Sequence, residues 1–329
     1  MVSKDEAEST LVDPADIEAA DAHASSFMKR GIGLLQESPG NAEGALQEFD
    51  RALALRHRLP SDVPAHKYGL AACWLNRADA LMRLEGTPQK ALALRACNEA
   101  VALLSEMPLS DDARFVRRLV VAHQNRGLAL CAQEPPALVD AVAAFAEAIA
   151  ILDRHEARRL PDRGYLQAVV WTNLANTHAS DATTDGDALA RESARRAVTL
   201  VAPMERDDAD AAEAGLTARH VVCQTIARRL SASVEQTAGM PEDVHEATDM
   251  ADDGLSLVRH WERRGVSRFR KLASDLFRFG GRVYARYQPH FFDEFVRDNL
   301  DPRQSSPAYV ESAEISAAAV EVKFLCRPR

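Results

Sequence analysis

The chain has 329 residues, 47% hydrophobic but only 6% aromatic, and alanine leads the composition, which is that of an all-helical protein with ample material for a core. The formal net charge of −9 is concentrated at one end, where residues 1–21 carry Asp5, Glu6, Glu8, Asp13, Asp16, Glu18 and Asp21 against Lys4. The rest is nearly balanced, so global charge gives no indication of nucleic-acid binding. No run approaches the ~18–20 apolar residues of a membrane span, and the acidic start has no apolar region of the kind a signal peptide carries. Five cysteines without a C-x-x-C pair read as small buried hydrophobes in a reducing compartment. These features set the expectation of a soluble cytoplasmic protein.

Residues 1–21 are expected to form an acidic flexible tail, with a helical end as the alternative. A helix follows from Ala22 to Gln36, with Phe27, Gly31 and Leu34 on one face, and Ser38-Pro39-Gly40-Asn41 turns the chain. Ala45, Phe49, Ala52 and Leu55 then form a helical stripe, closed by Leu59-Pro60. The second pair runs from Ala65 to Leu84 and continues with Ala93, Cys97 and Ala100. In the third, a helix from Asp111 to Ala132 precedes Ala141, Phe145 and Ala148. In the fourth, Trp171, Ala175 and His178 precede a turn at Asp185-Gly186 and then Ala190, Ala194 and Ala197. A looser fifth pair carries Cys223, Ala227 and Leu230, a turn through Gly239-Met240-Pro241, and Ala247, Ala251 and Gly254. Residues 263–302 hold two aromatic-rich helices, Ser267 to Tyr287 and Phe291 to Leu300, expected to cap the array. The C-terminal segment 303–329 begins with a linker; Ala308 to Leu325 is either a last helix folding back on the array or a tail that docks on a partner.

Three segments recur: Trp74-Leu75-Asn76-Arg77-Ala78, His123-Gln124-Asn125-Arg126-Gly127 and Trp171-Thr172-Asn173-Leu174-Ala175. Their asparagines are 49 and 48 residues apart, and Ala52, Ala100, Ala148 and Ala197 are 48, 48 and 49 apart. Such a period marks a stack of helix pairs, none of which buries its apolar faces alone. The small residues allow two antiparallel helices to approach closely.

The pattern resembles the tetratricopeptide repeat over residues 22–262. Trp171-x-x-Leu174-Ala175 matches the family's first-helix motif. Ala45…Phe49…Ala52 and Ala141…Phe145…Ala148 match its second. The period of 48 exceeds the family's 34, Arg30, Arg77 and Arg126 stand where the family usually has Leu, and the closing prolines are displaced, so the repeats are long and divergent. The resemblance implies an all-α, right-handed solenoid of five antiparallel helix pairs with a concave groove lined by first helices. Positions two residues before the small residue would point into that groove: Lys29, Asn76, Asn125, Asn173 and Thr225. A carboxamide offers donor and acceptor, which suits the backbone of an extended peptide whatever its side chains. The structural alternative is that these asparagines satisfy helix ends or neighbouring helices. One turn on, Asp79, Leu128 and Asn176 would supply selectivity, with Arg83 and Gln124 as weaker candidates. Arg30, Arg77 and Arg126 read as salt-bridging across repeats.

Residues 259–286 carry nine arginines and lysines against Glu262 and Asp275, and Arg278, Arg282 and Arg286 make one helical row. Three readings stand: a solvated face of the capping helix, a patch for an anion, a partner or the acidic tail 1–21, and an RNA-binding surface. No histidine pair has metal-ligand spacing, Gly280-Gly281 is no phosphate loop, and no nucleophile motif is visible. The expectation is therefore a non-enzymatic module for a protein or peptide partner, with neither cofactor nor metal. A regulatory sensor of a small ligand or signalling peptide is the alternative. Oligomeric state and partner identity are left open by the sequence.

Overall fold

The computed structural model describes residues 14–37, 41–232, 241–301, 303 and 305–324. Fourteen α-helices, and no strand, occur among them. The Ser38-Pro39-Gly40 turn, most of the expected turn at Gly239-Met240-Pro241, and Cys326 lie outside the described residues.

The helices fall into two compact units, residues 1–159 and 160–329. The first holds three pairs: α1 (Pro14–Glu37) with α2 (Ala42–Arg56), α3 (Pro64–Arg83) with α4 (Thr87–Ser105), and α5 (Ala113–Cys131) with α6 (Leu138–Asp153). Within it α2 also packs on α3 and α4 on α5, while the first helices touch in the order α1, α3, α5. This is the neighbour-on-neighbour packing of a helical repeat. A 3-10 helix, His155–Arg159, which the sequence pattern does not announce, ends the unit.

The second unit opens with α7 (Arg163–Ser180) and α8 (Thr184–Val201), followed by α9 (Ala209–Ala232), α10 (Pro241–Arg263), α11 (Arg270–Tyr287) and α12 (Pro289–Leu300). The expected last helix is two: α13 (Pro307–Val310) and α14 (Ala313–Phe324). Ser306 caps α13 by accepting from the Tyr309 amide. Helix α14 folds back on α11, burying Ile315, Ala318 and Val322. Gly281 of α11 makes room: a Cβ there would stand 2.6 Å from a Val322 methyl.

Two boundaries differ from expectation. Helix α1 starts at Pro14 rather than Ala22, so Asp16 and Asp21 belong to it. Its start is held by a long-range pair, Arg56 Nη1 donating to Asp21 at 2.6 Å, with Arg56 buried. The turn between α7 and α8 lies at Asp181–Thr183, ahead of Asp185-Gly186. Thr183 caps α8 by accepting from the Gly186 amide at 3.0 Å, which places the glycine in the first helical turn.

In each helix pair the residue on one helix is fitted to its neighbour on the other. A Cβ on Gly31 would strike the Phe49 ring, and one on Gly127 would lie 2.5 Å from Phe145 Cε1. In the second pair Ala78 meets Ala96 and Cys97, and in the fourth Ala175 meets Ala190, Ala194 and Ala197. Glycine therefore faces phenylalanine where alanine faces cysteine or alanine. Where a ring enters the seam the facing residue gives up its Cβ, and where the facing residue keeps one the partner is small, as close-packed interiors require. The same contacts fix the register: Gly31, Ala78 and Gly127 are equivalent positions in unit 1.

Candidate functional site

That register places Lys29 on α1, Asn76 on α3 and Asn125 on α5 at one position, and Ile32, Asp79 and Leu128 at the next. On α3 the stripe Asn76, Asp79, Arg83 follows i, i+3, i+7 and so shares a face. Arg83 shows what the face looks along. Its guanidinium holds Asp79 at 3.1 and 3.3 Å and donates to the Leu35 carbonyl of α1 at 3.1 Å, capping the end of that first helix. Arg228 repeats the device in the second unit, donating to the Ala179 carbonyl near the end of α7 at 2.8 Å.

Asn76 and Asn125 are half-buried, and Lys29 is exposed. In the second unit Asn173 on α7 is half-buried and Asn176 exposed. None of the four asparagine side chains makes a hydrogen bond among the described residues, so none caps a helix or ties down a neighbour there. Ile32 and Leu128, both 37% exposed, flank the charged Asp79–Arg83 pair. The face thus offers free carboxamides on partly covered stems, two apolar contacts and one ion pair.

Thr225 does not join this row. It is buried, and its hydroxyl donates to the Val221 and Val222 carbonyls of its own helix. Its hydroxyl is thereby satisfied on the preceding turn. The arginines beside the row also divide. Arg30 pairs with Glu48 at 2.8 Å and lies over the Phe27 ring, and Arg77 pairs with Asp50 at 2.7 Å and lies over Trp74. Arg126 has its Nε buried without a hydrogen-bond partner.

The basic stretch is largely consumed inside the second unit. Arg268 pairs with Asp210, Arg270 with Glu262, and Arg278 with Glu321 of α14 at 2.9 Å, while Arg259 donates to Asn299 and Arg264 to the Arg206 carbonyl. Of the expected row, Arg282 and Arg286 are exposed, Arg286 over the Tyr287 ring. These contacts favour the reading as a capping helix.

One cleft went unnoticed in the sequence. A cavity of about 570 Å³ opens between α10, α11 and α12 and is lined by Asp249, Asp252, Asp253, Tyr284, Phe291 and Glu294 among others. Tyr284 Oη donates to Asp252 at 2.5 Å; burial raises the carboxyl's pKa above its ordinary value, and burial together with that carboxylate raises the phenol's. The signal was present: Asp249, Asp252 and Asp253 share a helical face at i, i+3, i+4. A smaller cavity, about 330 Å³, lies between α2, α3 and α4 around Trp74, Arg77 and His57.

Burial pushes the thiols of Cys73 and Cys97 up to about 11 and about 12, and that of Cys223 higher still, so all three stay protonated and unreactive near neutrality. Among the described residues the cysteines are free, no cluster of three or more potential metal ligands occurs, and no helix is long and apolar enough to cross a membrane. Comparison with models of known protein families and with curated proteins finds no match.

Proposed function

We propose that the chain is a non-enzymatic, tetratricopeptide-like interaction module whose first-helix faces hold an extended peptide or a partner's tail by its backbone. Within each unit the pairs would stack with the right-handed twist that the family resemblance implies, making the first-helix face a groove. The observation that carries this reading is the set of unbonded carboxamides at repeat-equivalent positions. Asn76 and Asn125 recur at one register on α3 and α5, half-buried, with their hydrogen-bonding groups unused within the protein. Packing does not require a carboxamide there, since Lys29 fills the same position on α1. In unit 1, Lys29, Ile32, Asp79 and Leu128 would read the side chains of the bound segment, and on α7 Asn173 and Asn176 offer the same grip.

Peptides selected from a random displayed library against the whole chain test this. Asn76→Ala combined with Asn125→Ala removes two net hydrogen bonds of about 0.5–1.5 kcal/mol each. The selected peptides are expected to bind roughly 5- to 150-fold more weakly, with the melting temperature unchanged because neither side chain supports the fold. Equal affinity for both proteins would remove the basis of the proposal.

A further inference from the structure

The repeat register also exposes a missing partner. In the valley between α2 and α3, Asp50 accepts from Arg77 Nε at 2.7 Å, and the guanidinium lies 5.6 Å from the Trp74 ring centre. One repeat on, Arg126 stands where Arg77 does, one residue before the small position Gly127. Asp50 becomes Asn98, two residues before Ala100 as Asp50 is before Ala52, and Trp74 becomes His123. The register sets this arginine beside α4, and its charge is close enough to act on Cys97, the neighbour of Asn98. The carboxylate that would complete the site has gone.

The consequences are visible in the atoms left over. Arg126 Nε is buried with no hydrogen-bond partner, and Arg126 makes no ion pair among the described residues. His123, only 8% exposed, has a buried Nδ1 that is likewise unpartnered. Burial and the Arg126 charge both depress its pKa, so the ring stays neutral near neutrality. Buried polar groups are nearly always satisfied, and exceptions call for an explanation. A guanidinium is the side chain best matched to a carboxylate, and the first valley shows that this scaffold seats one there. At the equivalent positions the smaller His123 and Ser105 stand in place of Trp74 and His57.

We infer that the valley between α4 and α5 is a docking site for an acidic side chain of a protein partner, whose carboxylate pairs with the open edge of the Arg126 guanidinium as Asp50 pairs with Arg77. The site is separate from the carboxamide row and does not depend on it. Hexaglutamate serves as the probe, with hexaglutamine as the neutral control at constant ionic strength. The readout is the Arg126 Nε–Hε signal in arginine-labelled protein, assigned by its disappearance in R126Q or, if that variant folds poorly, by its shift in N125A. Hexaglutamate, but not hexaglutamine, is expected to move that signal saturably in the wild type. N98D, which supplies the carboxylate from within as the first valley does, is expected to abolish the movement. The inference is overturned if hexaglutamate leaves the wild-type signal in place, or moves it as far in N98D as in the wild type.

Discussion

Glu205→Ala is expected to cost the second unit about 3–5 kcal/mol, among the largest losses available to a single substitution. Glu205 lies in the link between α8 and α9, and both its oxygens accept from Arg219 of α9, at 2.7 and 2.8 Å. The two side chains are 10% and 5% exposed. Gly215 is packed against the pair: a Cβ there would come within 2.6 Å of Glu205 Oε2. The backbone carbonyl of Glu205 in turn accepts from Trp261 Nε1 at 2.9 Å, which ties α10 to the same link. Removing the carboxylate leaves a guanidinium buried without its counter-charge, and desolvation of that charge dominates the cost. Removing both charges together, as Glu205→Leu with Arg219→Met, should cost clearly less than Glu205→Ala alone, because no ion is stranded. Urea unfolding followed by tryptophan fluorescence measures both, through the shift in midpoint at constant slope.

Phe145→Ala should destabilise the first unit by about 3–5 kcal/mol, since the ring is fully buried and fills the hollow above Gly127. The reverse error, Gly127→Ala, pushes a methyl into the ring at 2.5 Å and should cost about 1–3 kcal/mol. The second helix pair already contains the compensated solution, Ala78 against Cys97. Gly127→Ala combined with Phe145→Cys reproduces it. The double variant should therefore be more stable than Phe145→Ala, although each half is damaging by itself. Additive losses in the same unfolding assay would show that the residues at positions 127 and 145 are not fitted to each other.

Much of this architecture was legible because it rests on local repetition. Ala52, Ala100, Ala148 and Ala197 mark the seam in the sequence, and buried apolar stripes recover the helices around it. What was not legible depends on partners distant in the chain. Asp21 looks like part of a charged tail until Arg56, 35 residues on, holds it. Gly186 looks like a turn until Thr183 is seen capping the helix that contains it. Asn76 and Thr225 look alike as polar residues at one register, and differ because the Thr225 hydroxyl bonds its own preceding turn while the Asn76 carboxamide makes no bond within the described residues. Arg77 and Arg126 look alike too. Only the residue two before the alanine in the preceding second helix, Asp50 in one case and Asn98 in the other, separates a satisfied cation from an unsatisfied one. The basic run 259–286 misleads in the opposite direction, because Asp210 and Glu321 pair with it from helices outside the run.

The central claim is that carboxamides on the first helices grip a peptide by its backbone, and a thermodynamic cycle tests it most directly. A library-selected peptide is prepared with single N-methyl substitutions along its length, and each form is titrated calorimetrically against wild type and Asn125→Ala. One N-methylated position is expected to lose affinity against the wild type but lose little more against Asn125→Ala, a coupling of about 0.5–1.5 kcal/mol. Losses that simply add at every position would mean that Asn125 does not hold the peptide backbone, and would contradict the account.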